Sequence, residues 1–116
     1  MSRDDVALVD ILGAAKAAVA YLGNADRSAL EKDGKTQSAV IHQLLIVGEA
    51  VKRLSLGFRS DYPGVPWKSM AGMRDRLIHE YDEVDLNEVW KTVRFSLPPL
   101  ITALEGIITD RGVDRA

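Results

Sequence analysis

The sequence predicts an all-α fold: an antiparallel helical bundle with four main helices, short helical turns between them and a kinked last helix. Three observations carry this. Apolar residues step by three and four along three long stretches, no stretch alternates convincingly as a strand, and no linker divides the 116 residues. Leu8, Leu12, Ala15, Val19 and Leu22 form one stripe, and Gly23-Asn24 supplies a C-terminal stop. Val40, Leu44, Val47, Val51 and Leu54 repeat the steps. Lys52 and Arg53 suit the negative end of that helix, and Gly57 reads as its close. Leu86, Trp90, Val93, Leu97, Leu100, Leu104 and Ile107 make the third stripe. Asp85, with Glu88 three residues on, supplies a cap whose carboxylate takes up unpaired backbone N–H groups.

Pro98-Pro99 lies inside the third stripe, so a kink or break is expected near Ser96. Residues 24–35 are polar, with one short helical turn expected from Ser28 to Lys32. Asp61 to Pro66 is a turn-rich connector. Pro66 then suits the first turn of a fourth helix through Trp67, Met70, Met73 and Leu77 to about Tyr81. The heptad-like steps fit helices that face one another at shallow angles, and part of the stripe surface is open to use as a dimer interface.

Composition narrows the functions. A chain this short makes one domain, residues 1–116, and its 47% apolar and 28% charged residues suffice for a core. No cysteine occurs, which excludes a disulfide scaffold, a thiolate zinc site and a cysteine nucleophile. The longest charge-free run, Thr36 to Gly48, is too short to span a bilayer. The first ten residues carry acids where a signal peptide carries bases, so a cytoplasmic location and no membrane partner are expected. With a net charge of −2, any nucleic-acid site must be a local basic patch.

Two histidines bound the search for chemistry. His42 has no acid three or four residues away and no second histidine at metal-pair spacing, so it reads as structural or superficial, and no metal site is expected. His79 sits in the run Met73-Arg74-Asp75-Arg76-Leu77-Ile78-His79-Glu80-Tyr81-Asp82-Glu83. On a straight helix Arg74 and Tyr81 lie about 20° apart, whereas His79 stands about 140° from Arg74. The two converge only at a helix edge, through the reach of arginine, or across a subunit boundary. Such a set could cut RNA without a metal or other cofactor. Histidine titrates near neutrality and moves protons, arginine forks onto phosphate oxygens, and tyrosine offers a hydroxyl and a stacking ring. The plainer reading pairs Arg76 with Glu80 on the helix surface and leaves the others to solvate the helix end.

At this run the sequence resembles a known family. Arg74, His79 and Tyr81 match the R-X4-H-X-Y signature of the HepT toxins of the HEPN superfamily. Ile46-Val-Gly-Glu-Ala50, Val65-Pro-Trp67, Val84-Asp-Leu86, Val89-Trp90 and Leu97-Pro98 resemble the family's flanks, and the likeness covers roughly residues 4–108. It implies a HEPN-like domain that forms a homodimer, with two motif copies beside one cleft. It implies the toxin of a type VII toxin–antitoxin system, a metal-independent RNA endonuclease without cofactor. Its partner would be an MntA-type nucleotidyltransferase antitoxin that adds AMP to Tyr81. Carried over by position, Arg74 and His79 are the catalytic pair and Asp75 orients one of them. Arg76 is a candidate RNA contact. Asp82-Glu83, where many relatives carry an aromatic-Gly pair, would repel RNA and weaken cleavage. The alternative is a catalytically silent module that partners a nucleotidyltransferase or holds a nucleotide.

Overall fold

The computed structural model describes residues 1–113, apart from the side chain of Tyr81. Helix α1 (Arg3–Leu22) starts from a capping box: the Ser2 hydroxyl accepts from the Asp5 amide, and the Asp5 carboxylate accepts from the Ser2 amide. It ends at Gly23, whose φ of 56° lies in the region that glycine enters without steric penalty. Asp26 caps the short α2 (Arg27–Glu31), and Asp33 caps α3 (Gly34–Arg53). The expected turn at 28–32 is therefore present.

Gly57 does not close the second long helix. Instead α3 gives way at Leu54, and Ser55 caps a further short helix, α4 (Leu56–Asp61), which contains Gly57. Ser55 is fixed from outside the segment: Asp4 accepts from its amide at 2.7 Å and from its hydroxyl at 2.8 Å. That long-range contact is invisible to local periodicity. After the connector, α5 (Trp67–His79) begins behind Pro66 and stops two residues short of the expected end, at a 3₁₀ turn over Tyr81–Glu83. The Asp85 carboxylate caps α6 (Leu86–Lys91), accepting from the amides of Asn87 and Glu88 at 3.0 and 3.1 Å.

The proline pair neither breaks nor ends the last helix. Thr92–Ser96 widens into one π-helical turn, and α7 (Leu97–Arg111) continues with both prolines at its start. Proline lacks an N–H and its ring crowds the carbonyl one turn back, so a wider turn relieves the clash while the stripe stays in phase.

The main helices lie in the order α5, α3, α1, α7. The start of α1 meets the end of α3 through Asp10–Arg53 (2.7 Å) and the end of α7 through Asp5–Arg111 (2.8 Å), which makes both pairings antiparallel. Leu8, Ile11, Val40, Val51, Leu104 and Ile108 are fully buried in these helices, as are Val89 and Val93 in the segment that leads into α7. Each such aliphatic side chain stabilises the fold by roughly 1.5–3 kcal/mol. Helix α5 packs on the outer side of α3 and buries only Trp67 and Leu77. The candidate residues thus sit at the edge of the bundle.

Candidate functional site

The site begins with a glycine on α3. A Cβ on Gly48 would collide with the Arg74 Cβ and stand 3.1 Å from the Met70 carbonyl oxygen. Only a bare α-carbon lets α5 approach α3 this closely, and the stem of Arg74 is held against the α3 backbone as a result.

Glu49, the next residue, accepts a hydrogen bond from Nη2 of Arg74. Nη1 of Arg74 donates to Asp75 at 3.1 Å, and Lys52 Nζ reaches the same Asp75 oxygen at 2.5 Å. Four alternating charges, Glu49–Arg74–Asp75–Lys52, therefore stitch α3 to α5. Asp75 sits below the ordinary aspartate range, chiefly through its hydrogen bond from Lys52 and then that from Arg74. Arg74 is shifted the opposite way: the Asp75 bond raises its pKa most, burial opposes the shift, and Glu49 adds to it. Its Nε is enclosed without a hydrogen-bond partner among the described residues.

Beside Arg74 runs a groove of about 510 Å³ between α3 and α5. Leu45, Ile46 and Ile78 supply its apolar wall, and His42, Glu49, Arg53 and Arg74 its polar one. His42 is exposed here, on the same groove as the motif arginine, which sequence spacing could not show across two helices. His79 is exposed at the end of α5, outside this groove, and makes no side-chain hydrogen bond among the described residues. Arg76 does not pair with Glu80; it reaches across to Glu88 on α6. The backbone of Tyr81 opens the 3₁₀ turn, while its side chain, the expected AMP acceptor, lies outside the described residues.

Sequence reasoning missed Gly48, Glu49 and Lys52 as parts of the site. The signal was present in the Ile46-Val-Gly-Glu-Ala50 stretch, but spacing along one helix says nothing about a neighbour on another. Among the described residues no three histidine or carboxylate side chains gather into a group able to hold a metal ion. No helix among them is long and apolar enough to cross a membrane.

Comparison with known proteins fits this architecture. A family model described as "Ribonuclease HepT-like" matches residues 11–107. A Methanocaldococcus jannaschii protein named "Putative RNase MJ0127" is 41% identical over 95% of this chain and 93% of its own length. A second protein of that organism, of the same RNase description, is 37% identical over 89% of each chain. A Thermococcus cleftensis protein named "Probable ribonuclease HepT" is 50% identical over 59% of this chain and 62% of its own. No solved structure matches significantly. With nearly the whole helical core inside the matched region, the chain belongs to the HepT-like ribonuclease family.

Proposed function

We propose that this protein is the toxin of a type VII toxin–antitoxin pair and acts as a metal-independent RNA endonuclease in the cytoplasm. The observation that carries the reading is the seat of Arg74. A close helix contact at Gly48 and a doubly held Asp75 fix one guanidinium at the bundle edge. A fixed guanidinium of this kind steadies charge developing on a phosphate at little cost in reorganisation.

In this reading a ribose 2′-hydroxyl attacks the adjacent phosphorus and loses its proton to an imidazole. The bond to the 5′-oxygen breaks, a cyclic phosphate forms, and a protonated imidazole gives the leaving oxygen its proton. Arg74 holds the non-bridging oxygens. Asp75 acts through Arg74, since it hydrogen-bonds that residue and Lys52 and not His79. Arg76 contributes to RNA binding only by leaving Glu88.

A lone chain keeps His79 outside the Arg74 groove, so the reaction requires a homodimer in which the two motifs meet. An MntA-type nucleotidyltransferase would silence the enzyme by adding AMP to Tyr81, which adds a negative charge and a bulky adenosine to the motif. Incubation with that partner, ATP and Mg²⁺ should then add AMP mass to the chain but not to Tyr81→Phe.

The direct experiment is cleavage of single-stranded RNA by purified protein in excess EDTA. The parent should cut, and Arg74→Ala and His79→Ala should each fall by about 100-fold or more while melting normally. Equal cleavage by parent and variants would refute the catalytic assignment. No cleavage by the parent would favour the silent module.

A further inference from the structure

Arg74 carries two carboxylates, and they are not held alike. Asp75 is its neighbour in sequence and is anchored a second time by Lys52. Glu49 has Arg74 as its only side-chain partner among the described residues. The exposures differ as well: the Arg74 side chain is 24% exposed, whereas that of Glu49 is 53% exposed. Glu49 therefore covers the guanidinium from the solvent side and is the partner that can leave.

The groove sharpens the distinction. Glu49 is the one carboxylate lining it, alongside Arg53, Arg74 and His42. Without that negative charge the polar wall would be wholly basic or neutral, beside an apolar wall of Leu45, Ile46 and Ile78. Arg53 is paired with Asp10, which leaves Arg74 as the fixed cation; beside an apolar surface it suits one nucleotide, its phosphate on the guanidinium and its base against the aliphatic side chains. A carboxylate on guanidinium is the nearest mimic of that phosphate that a protein side chain can offer.

We infer that the α3–α5 groove is a nucleotide subsite of the RNA strand and that Glu49 is its displaceable counter-ion, holding the place of a phosphate on Arg74. The inference rests on the ribonuclease reading for the identity of the anion, but not for the existence of the seat. Glu49 in this role is a specificity-determining residue that sets RNA affinity. It is not needed to position Arg74, because Gly48 packing and the Asp75–Lys52 pair already do so.

The test is binding of a fluorescein-labelled single-stranded RNA 12-mer, read by anisotropy in the non-cleaving His79→Ala background. Adding Glu49→Gln keeps the side-chain shape and removes the charge. It should tighten binding by about twofold to fivefold, the scale of an exposed ion pair. Glu49→Ala should shift binding the same way, and the gain should vanish once Arg74→Ala is added. Tighter binding is a change that damage to the fold does not produce. Unchanged or weaker binding in Glu49→Gln, a gain that survives loss of Arg74, or no binding by any variant would overturn the inference. The nuclease reading fails separately, when the parent does not cleave in EDTA. An Arg74-dependent gain in such a protein would leave the seat standing and remove the reaction.

Discussion

Helices α1 and α5 both carry apolar residues at helical spacing, yet the bundle uses them in opposite ways. Helix α1 starts from a reciprocal cap, is flanked by α3 and α7, and buries eight of its twenty residues. Helix α5 has no side-chain cap, packs mainly on α3, and buries two of its thirteen. The enclosed helix carries the stability. The edge helix keeps Arg74, Asp75, Arg76 and His79 near solvent, where an RNA strand could reach them. A rigid core thus supports a face on which Arg74, Asp75 and Arg76 are held by ion pairs rather than by burial.

That contrast breaks most visibly in the core. Leu104 is fully buried against the enclosed side of the bundle, so Leu104→Ala should cost about 2–5 kcal/mol. Chemical denaturation should show this as a lower midpoint at unchanged slope. A loss under about 0.5 kcal/mol, the range of surface substitutions, would mean that the enclosed side is not what holds the molecule together.

Gly48→Ala probes the seam between the two regimes. Its methyl group would collide with the Arg74 stem, forcing α5 outward at a cost of about 1–3 kcal/mol. RNA cleavage should fall far more than that loss of stability explains, because the guanidinium moves with the helix. Full activity at reduced stability would separate the α3–α5 contact from function.

The smallest effect expected is one of pH, and it compares two carboxylates from the two regions. Asp5, at the enclosed end, is lowered chiefly by its hydrogen bond from Arg111; Asp75, at the seam, chiefly by that from Lys52. A lowered folded value means that each contributes stability fully present above the ordinary aspartate value of about 3.9. That contribution is lost as pH falls through the lowered value. Asp5→Asn and Asp75→Asn should each flatten the acid limb of the stability curve. Asp75 is about half exposed and Asp5 less so, and each pair still meets solvent, so screening should keep the contribution of each small. A limb unchanged in both variants would show that neither pair stabilises the fold.

How much of this was legible in the sequence follows from the range of each interaction. The stripes from Leu8 to Leu22, Val40 to Leu54 and Leu86 to Ile107 are local, and the helices lie where their spacing puts them. The Asp85 cap is local too, and it is present. The end of α3 was misplaced at Gly57 because Ser55 is fixed by Asp4, 51 residues away. The kink or break expected near Ser96 takes the form of a π turn, with the stripe packed on both sides of the prolines. Arg74, Asp75 and His79 were named from their spacing and from family likeness; the fold joins the first two and leaves His79 outside their groove. Glu49, Lys52 and His42 could not be placed at the site that way, since what matters about them is the face they present to another helix. The plainer reading's Arg76–Glu80 pair fails for the same reason, as the partner Arg76 takes, Glu88, belongs to α6 and not to its own helix.

The central claim is that Arg74 of one copy and His79 of another act on a single ribose–phosphate linkage. Its most direct test co-expresses Arg74→Ala and His79→Ala chains under different tags and isolates the mixed pair by tandem purification. Cleavage is then measured in EDTA against each variant alone. The mixed pair retains one guanidinium and one imidazole, on different chains, and should cut RNA well above either parent variant. A purified mixed pair as inert as its components would contradict the claim.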